Sequence, residues 1–184
     1  MRLEPLIKGI KQLEDRSRSG ELAYLCLNGK SENHIRDIVA FNVASNKPSW
    51  NVEREINRVD LVISNARGSS LEIEFKLGYA GPVIKQRERS HVLKSALQDL
   101  EKRGSSIINC IGIMDFSAEP DIDLSVYKKS QIIRSTIGDA RALNKVKCVV
   151  KDTWCEAKCK FTTVNCGVWR GINVSILFCT IKNA

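Results

Sequence analysis

Apolar residues never run on in this chain for the roughly 18 positions that a bilayer-spanning helix needs, so the sequence predicts no membrane segment. The opening "MRLEPLIKGIKQLEDR" is too often broken by charge to be a secretory leader, and a cytoplasmic protein is expected. Histidine is scarce. Neither His34 nor His91 has a Ser or Cys partner in a motif, which leaves a nucleophilic triad and acyl transfer unsupported. Acidic residues thin out toward the end: from Arg141 to Ala184 there are eight basic residues against two acidic ones, Asp152 and Glu156. Internal repeats, low-complexity segments and linkers are also lacking.

With 184 residues, 43% of them hydrophobic, the chain is long enough for one well-buried domain, and a second could only be small. The 29 Lys and Arg outnumber the 21 Asp and Glu, for a net charge of +8. That excess suits a polyanionic partner or simple solubility. Its concentration in the last quarter suggests a basic face. The seven cysteines are odd in number and spread from Cys26 to Cys179, so they are expected as thiols.

Leu3, Leu6, Ile7, Ile10 and Leu13 follow the i, i+3, i+4, i+7 spacing of an amphipathic helix that closes near Ser19-Gly20. "LAYLCL" (22–27) is apolar but too short to assign. Ser31 is a good N-cap for a helix over 32–44, with Ile35, Ile38 and Val39 inward. Strands are predicted over 59–64 and 71–77, joined through the turn composition "NARGS", followed by a helix over 84–103 and a buried strand over 106–114. A short helix over 129–143 and strands over 146–151, 157–164 and 172–181 complete the reading. The expected fold is α/β, a helix–hairpin–helix–strand core with a β-rich basic C-terminal part over about 141–184 packed on it.

The hairpin poses the main question, because it carries Asp60, Glu72, Glu74 and Lys76 among apolar residues. Side chains alternate along a strand, which puts Leu71, Ile73, Phe75 and Leu77 on one face and Glu72, Glu74 and Lys76 on the other. With "NARGS" as the loop, Ser64 pairs with Ser70, Val62 with Glu72, and Asp60 with Glu74. Two carboxylates so placed repel by a few tenths to about 1 kcal/mol when solvated, and more when buried. A hard divalent cation would compensate, and Lys76 would stand beside it. An ammonium there could stabilise charge on phosphorus, or help orient and deprotonate an attacking water. An ordinary amphipathic hairpin with one solvated face accounts for the same pattern and stays open at this point.

The order of Glu32 on an early helix, "RVD" ending at Asp60, "EIEFK" from Glu72 to Lys76, an amphipathic helix and a buried strand resembles the PD-(D/E)XK nuclease superfamily, the restriction-endonuclease-like proteins. The resemblance covers about residues 31–114 and rests on element order more than on any single letter. It implies a central mixed sheet flanked by helices and a Mg²⁺-dependent endonuclease acting on DNA, with Mn²⁺ as a substitute ion. Position by position, Asp60 and Glu74 resemble the metal ligands, Lys76 the catalytic lysine, and Glu32 the helix glutamate that binds metal or its water. Gln98, in "ALQDL", stands where some members carry a glutamine. The family name begins with Pro-Asp, whereas Val59 precedes Asp60 here. A non-catalytic nucleic-acid-binding protein of the same fold is the alternative. A two-fold DNA site would favour a homodimer, although no dimer surface is legible.

Other residues have plainer accounts. The helix dipole alone explains Glu32 in a first turn. Glu53 and Glu55 could add a carboxylate or lie in solvent, and "DFSAEPDID" (115–123) reads as an acidic turn. Cys148, Cys155, Cys159 and Cys166 invite a zinc reading, but only Cys155 and Cys159 have the spacing of a ligand pair, and strand alternation makes them small core residues. That alternation turns Lys158 and Lys160 outward, beside Lys147 and Lys151, with Arg170 in a later turn. This suggests a phosphate-contacting surface, to which Lys85, Arg87 and Lys94 of "KQRERSHVLK" would add.

Overall fold

The computed structural model describes residues 3–29, 31–56, 59–103, 107–118, 121–127, 130–137, 141–154 and 158–182. The N-terminal amphipathic pattern forms α1 (Glu4–Lys11), with Pro5 in its first turn and Lys8 and Lys11 in its last, both favourable for the helix ends. The chain continues as a 3₁₀ helix (Gln12–Ser19) that stops at Gly20, φ +69°. A side chain there would also strike the Val168 carbonyl oxygen, 2.8 Å from an ideal Cβ. "LAYLCL" becomes part of α2 (Glu21–Asn28), and α3 spans Ser31–Asn46.

A strand the sequence reading did not assign, β1 (Trp50–Ile56), precedes the hairpin β2 (Val59–Asn65) and β3 (Ser70–Tyr79). The Asn65 side chain closes the hairpin loop by accepting from the Arg67 and Ser69 N–H groups at 2.9 and 3.1 Å. The helix expected over 84–103 is two helices, α4 (Ala80–Gln86) and α5 (His91–Arg103), separated by a turn at Arg87, φ +51°. The break lets α4 carry the chain off the end of β3 before α5 runs back over it. The buried run forms β4 (Ile107–Ala118), and α6 (Ser130–Thr136), α7 (Ala142–Trp154), β5 (Cys159–Trp169) and β6 (Ile172–Lys182) follow.

Among the described residues six strands make one mixed sheet in the order β1-β2-β3-β4-β6-β5, in which β3 and β4 are the one parallel pair. The C-terminal hairpin therefore completes the sheet, β6 pairing with β4 from Ile108–Lys182 to Ala118–Ile172, rather than packing on a finished core. Helices cover both faces, so the fold is α/β with a mixed sheet between helical layers. On one face α1, α2 and α3 bury Leu6, Ile10, Leu22 and Val39 against Ile73, Phe75 and Phe178. On the other, α4, α5 and α7 bury Val83, Leu93 and Val150 against Ile111, Ile113 and Leu177. β4, apolar on both sides, is the strand a two-layer sandwich of helices requires.

The strand expected over 146–151 is helix α7. Ala142, Val146, Val149, Val150 and Trp154 are its buried residues, a helical spacing laid against the second face of the sheet. Packing of that stripe outweighs the β-propensity of its valines. Among the described residues no helix is long and apolar enough to cross a membrane.

Candidate active site

The observed β2–β3 register matches the expected pairing: Ser64 faces Ser70, Val62 faces Glu72, and the ladder ends at Leu61–Ile73. Beyond that point side-chain carboxylates take over. Asp60 Oδ2 accepts from the Phe75 N–H at 2.8 Å, where a β2 carbonyl would stand if the ladder continued. Glu32 Oε2, from the first turn of α3, accepts from the Leu77 N–H at 2.7 Å. These amides are two residues apart on one strand edge, about 7 Å. The hairpin thus opens, and two acids from different elements line the gap.

Glu74 projects from the other side of β3, beneath α5. Only 5% of it is exposed, which separates it from the solvated face of an ordinary amphipathic hairpin. Burial raises its pKa to about 7, helped by a hydrogen bond with the Asp60 carboxyl and by the Asp60 charge; Lys76 and Arg103 pull the other way. Asp60 is bonded to the N–H of Phe75, the residue after Glu74, and by alternation lies on the same face as Glu74, so the two carboxyls converge at the end of the ladder. Arg103 Nη1 lies 2.7 Å from Glu74 Oε1, and Lys76 Nζ 3.4 Å from Glu74 Oε2.

Lys76 also reaches Asp99 Oδ2 at 3.2 Å. Burial works to lower its pKa, but the Asp99 and Glu74 charges prevail and the net shift is upward, so Lys76 is an ammonium. The buried Arg36, one turn after Glu32 on α3, contacts Asp60 Oδ1 at 3.4 Å, Glu55 at 3.0 Å and Asp37 at 3.2 Å. Burial opposes its charge, yet the bonds to Asp37 and Glu55 carry its pKa upward. A run of ionisable groups spans the opening, in which the adjacent acids Asp60 and Glu74 are flanked by Arg36 on one side and by Lys76 and Arg103 on the other, with Asp99 beyond Lys76.

Asp60, Glu74 and Lys76 are brought together as expected, and Glu32 reaches the same strand edge. Gln98 is exposed on α5; its neighbour Asp99 meets Lys76 instead. Glu55 enters through Arg36, whereas Glu53 lies exposed. Arg36, Asp99 and Arg103 escaped the sequence reading, although helical spacing carries a signal for each: Glu32 and Arg36 are i, i+4, as are Asp99 and Arg103. Beside Glu32 a cleft of about 360 Å³ opens among Ser31, Asn33, Tyr79 and Met114, outside the carboxyl ends of the parallel β3–β4 pair.

The basic residues do not form the single face expected of them. Lys147 and Lys151 stand on helix α7, and Lys85, Arg87 and Lys94 on α4, its following turn and α5, all on the Glu74 side of the sheet. Arg87 pairs with Asp152 of α7 at 2.6 Å. On β5, Cys159 and Phe161 pack toward α7, so by alternation Lys160 projects from the opposite face. Lys158 is exposed just before β5, and Arg170 lies at the far hairpin turn. Ten residues of strand, about 33 Å, separate Lys160 from Arg170. Cys148 is exposed on α7, Cys166 is buried, and Cys155 lies outside the described residues. Among the described residues no group of three or more His, Cys, Asp or Glu side chains is arranged to hold a metal ion. In the acidic segment, Asp115 belongs to β4 and Asp123 caps a 3₁₀ turn by accepting from the Ser125 N–H at 2.8 Å.

Comparison with protein families, characterised proteins and solved structures yields no match to this chain.

Proposed function

We propose that the chain is a Mg²⁺-dependent endonuclease that hydrolyses phosphodiester bonds in DNA on a restriction-endonuclease-like core. One observation carries the reading: Asp60 and Glu74 lie on one face where the β2–β3 ladder ends, Asp60 bonded to the Phe75 N–H at 2.8 Å and the Lys76 ammonium 3.4 Å from Glu74. The helix–hairpin–helix–strand order on which the family resemblance rests is present as α3, β2–β3, α4–α5 and β4.

The donor set fits a hard divalent ion. Mg²⁺ is commonly held by one or two carboxylates and keeps several waters, and the converging carboxyls of Asp60 and Glu74 are such a pair. Asp60 and Glu74 would hold the ion, and Glu32, bonded to the amide two residues further along the same strand, would support its shell. A bound divalent ion supplies a water of lowered pKa and neutralises charge on the phosphate.

The chain's own groups do the rest. The Phe75 N–H and Arg36 fix the Asp60 carboxylate. Lys76, kept cationic by Asp99 and Glu74, offers positive charge to developing negative charge on phosphorus rather than removing a proton. Gln98, exposed on α5, has no part in this scheme, and Asp99 takes the place beside Lys76.

The test is supercoiled plasmid incubated with Mg²⁺ or with EDTA. The parent protein nicks it only with the metal, and Asp60→Ala, Glu74→Ala and Lys76→Ala each lower the rate at least a hundredfold with the far-UV dichroism unchanged. Equal nicking by all three variants refutes the site. The absence of a three-ligand cluster among the described residues favours a second reading, a nucleic-acid-binding protein of the same fold without activity. It predicts a gel shift with no cleavage in any metal.

A further inference from the structure

Asn109 is a polar residue in the otherwise apolar first half of β4. It is fully buried, and neither its amide nitrogen nor its carbonyl oxygen has a hydrogen-bond partner among the described residues. A valine or leucine would fill such a position without leaving polar atoms unpaired, so the carboxamide costs stability as it stands.

Its neighbours suggest what the cost is for. In the parallel β3–β4 ladder Asn109 is the register partner of Glu74, and it lies on the same side of the sheet, under α5. Side chains so paired stand about 5 Å apart, within reach of one another by a rotamer change. Glu74 Oε1 is held by Arg103 and Oε2 lies near Lys76. With a divalent cation held by Asp60 and Glu74, a neutral amide donor beside the Glu74 carboxylate would orient it without bringing further positive charge toward the ion, as Arg103 and Lys76 do.

We infer that Asn109 is a positioning residue for Glu74: its side-chain NH₂ donates to the Glu74 carboxylate in the cation-loaded protein and fixes the rotamer that faces the ion. This rests on the nuclease reading of the same carboxylates. Groups that orient metal ligands typically change affinity ten- to a hundredfold. A purely structural asparagine would shift stability and metal affinity in the same direction, whereas Asn109 shifts them in opposite directions.

The experiment compares the parent chain with Asn109→Leu, using calorimetric titration with Mn²⁺ and thermal melting in EDTA. Expected are a melting temperature equal to the parent's or a few degrees higher without metal, and Mn²⁺ binding weaker by about tenfold. Should the leucine variant not fold, Asn109→Val carries the same two measurements. Equal Mn²⁺ affinity in parent and variant overturns this role and leaves the nuclease reading intact. A lower metal-free melting temperature shows the amide to be structurally satisfied and also overturns it. A parent chain that takes up no Mn²⁺ removes the nuclease reading, and this one with it.

Discussion

Glu74 concentrates the electrostatics of the site in one side chain. Its folded pKa lies near 7, above the ordinary 4.5, because burial and Asp60 favour the neutral form more than Arg103 and Lys76 favour the charged one. The sign follows from linkage: between those values the folded chain binds more protons than the unfolded one, so stability contributed by neutral Glu74 is full below about pH 4.5 and is lost as pH rises through 7. In EDTA the melting temperature should therefore fall by a few degrees from pH 5 to pH 8. Glu74→Gln, always neutral, should flatten that slope, and differential scanning calorimetry across the range reads it directly. A variant as steep as the parent places the proton elsewhere. Mg²⁺ should restore stability at pH 8 in the parent alone.

Among residues, those fixed by local periodicity were legible and those fixed by tertiary approach were not. Period-two alternation put Glu74 and Lys76 on one face and loop length set the register, so Asp60 could be placed against Glu74 from sequence. Asp99 and Arg103 sit on a helix whose rotation about its axis depends on how Val92 and Leu93 pack, and one step of rotation separates exposed Gln98 from Asp99. Asn109 carries no local pattern; its meaning comes from the strand beside it.

At the scale of elements, the site depends on how closely α5 lies on β3. Gly78, on the same strand face as Glu74 and Lys76, marks the contact: a Cβ there would come within 2.7 Å of Val92 Cγ1 and 2.9 Å of its Cβ. Gly78→Ala therefore pushes α5 outward, at a cost of about 1–3 kcal/mol by the usual overpacking penalty, and carries Asp99 away from Lys76. Urea unfolding should show that loss, and Val92→Ala added to it should recover most of it in a double-mutant cycle. Simple additivity of the two changes would mean that α5 does not rest on this point. The same dependence on packing explains where element assignment failed. Helix α7 and strand β1 have weak or contrary local signals, the first with β-branched residues at helical spacing, the second with a largely exposed, charged edge. The hairpin and β4 have strong patterns that agree with their surroundings, and were legible for that reason.

For the whole molecule, the question is which of the scattered positive charges would meet a polyanion bound at the carboxylates. The net charge of +8 gives a general attraction, but phosphate contacts are local. Lys85 and Lys94 are exposed on α4 and α5, the helices on the Glu74 side of the sheet, whereas Lys160 projects from the other face and Arg170 lies at the far turn of the β5–β6 hairpin. A duplex seated at the opening of the β2–β3 ladder would lie against the α4–α5 layer and could not also follow β5 to both ends. The double variant Lys85→Ala/Lys94→Ala should weaken DNA binding and reduce the slope of log K against log salt by about 0.9 for each contact removed. Lys160→Ala/Arg170→Ala, which removes the same charge, should lower affinity only slightly and leave the slope near the parent's. Fluorescence anisotropy at several salt concentrations with Ca²⁺ separates the pairs. Equal slopes in both would mean that the charge acts as a diffuse cloud and that the α4–α5 layer is not the docking face.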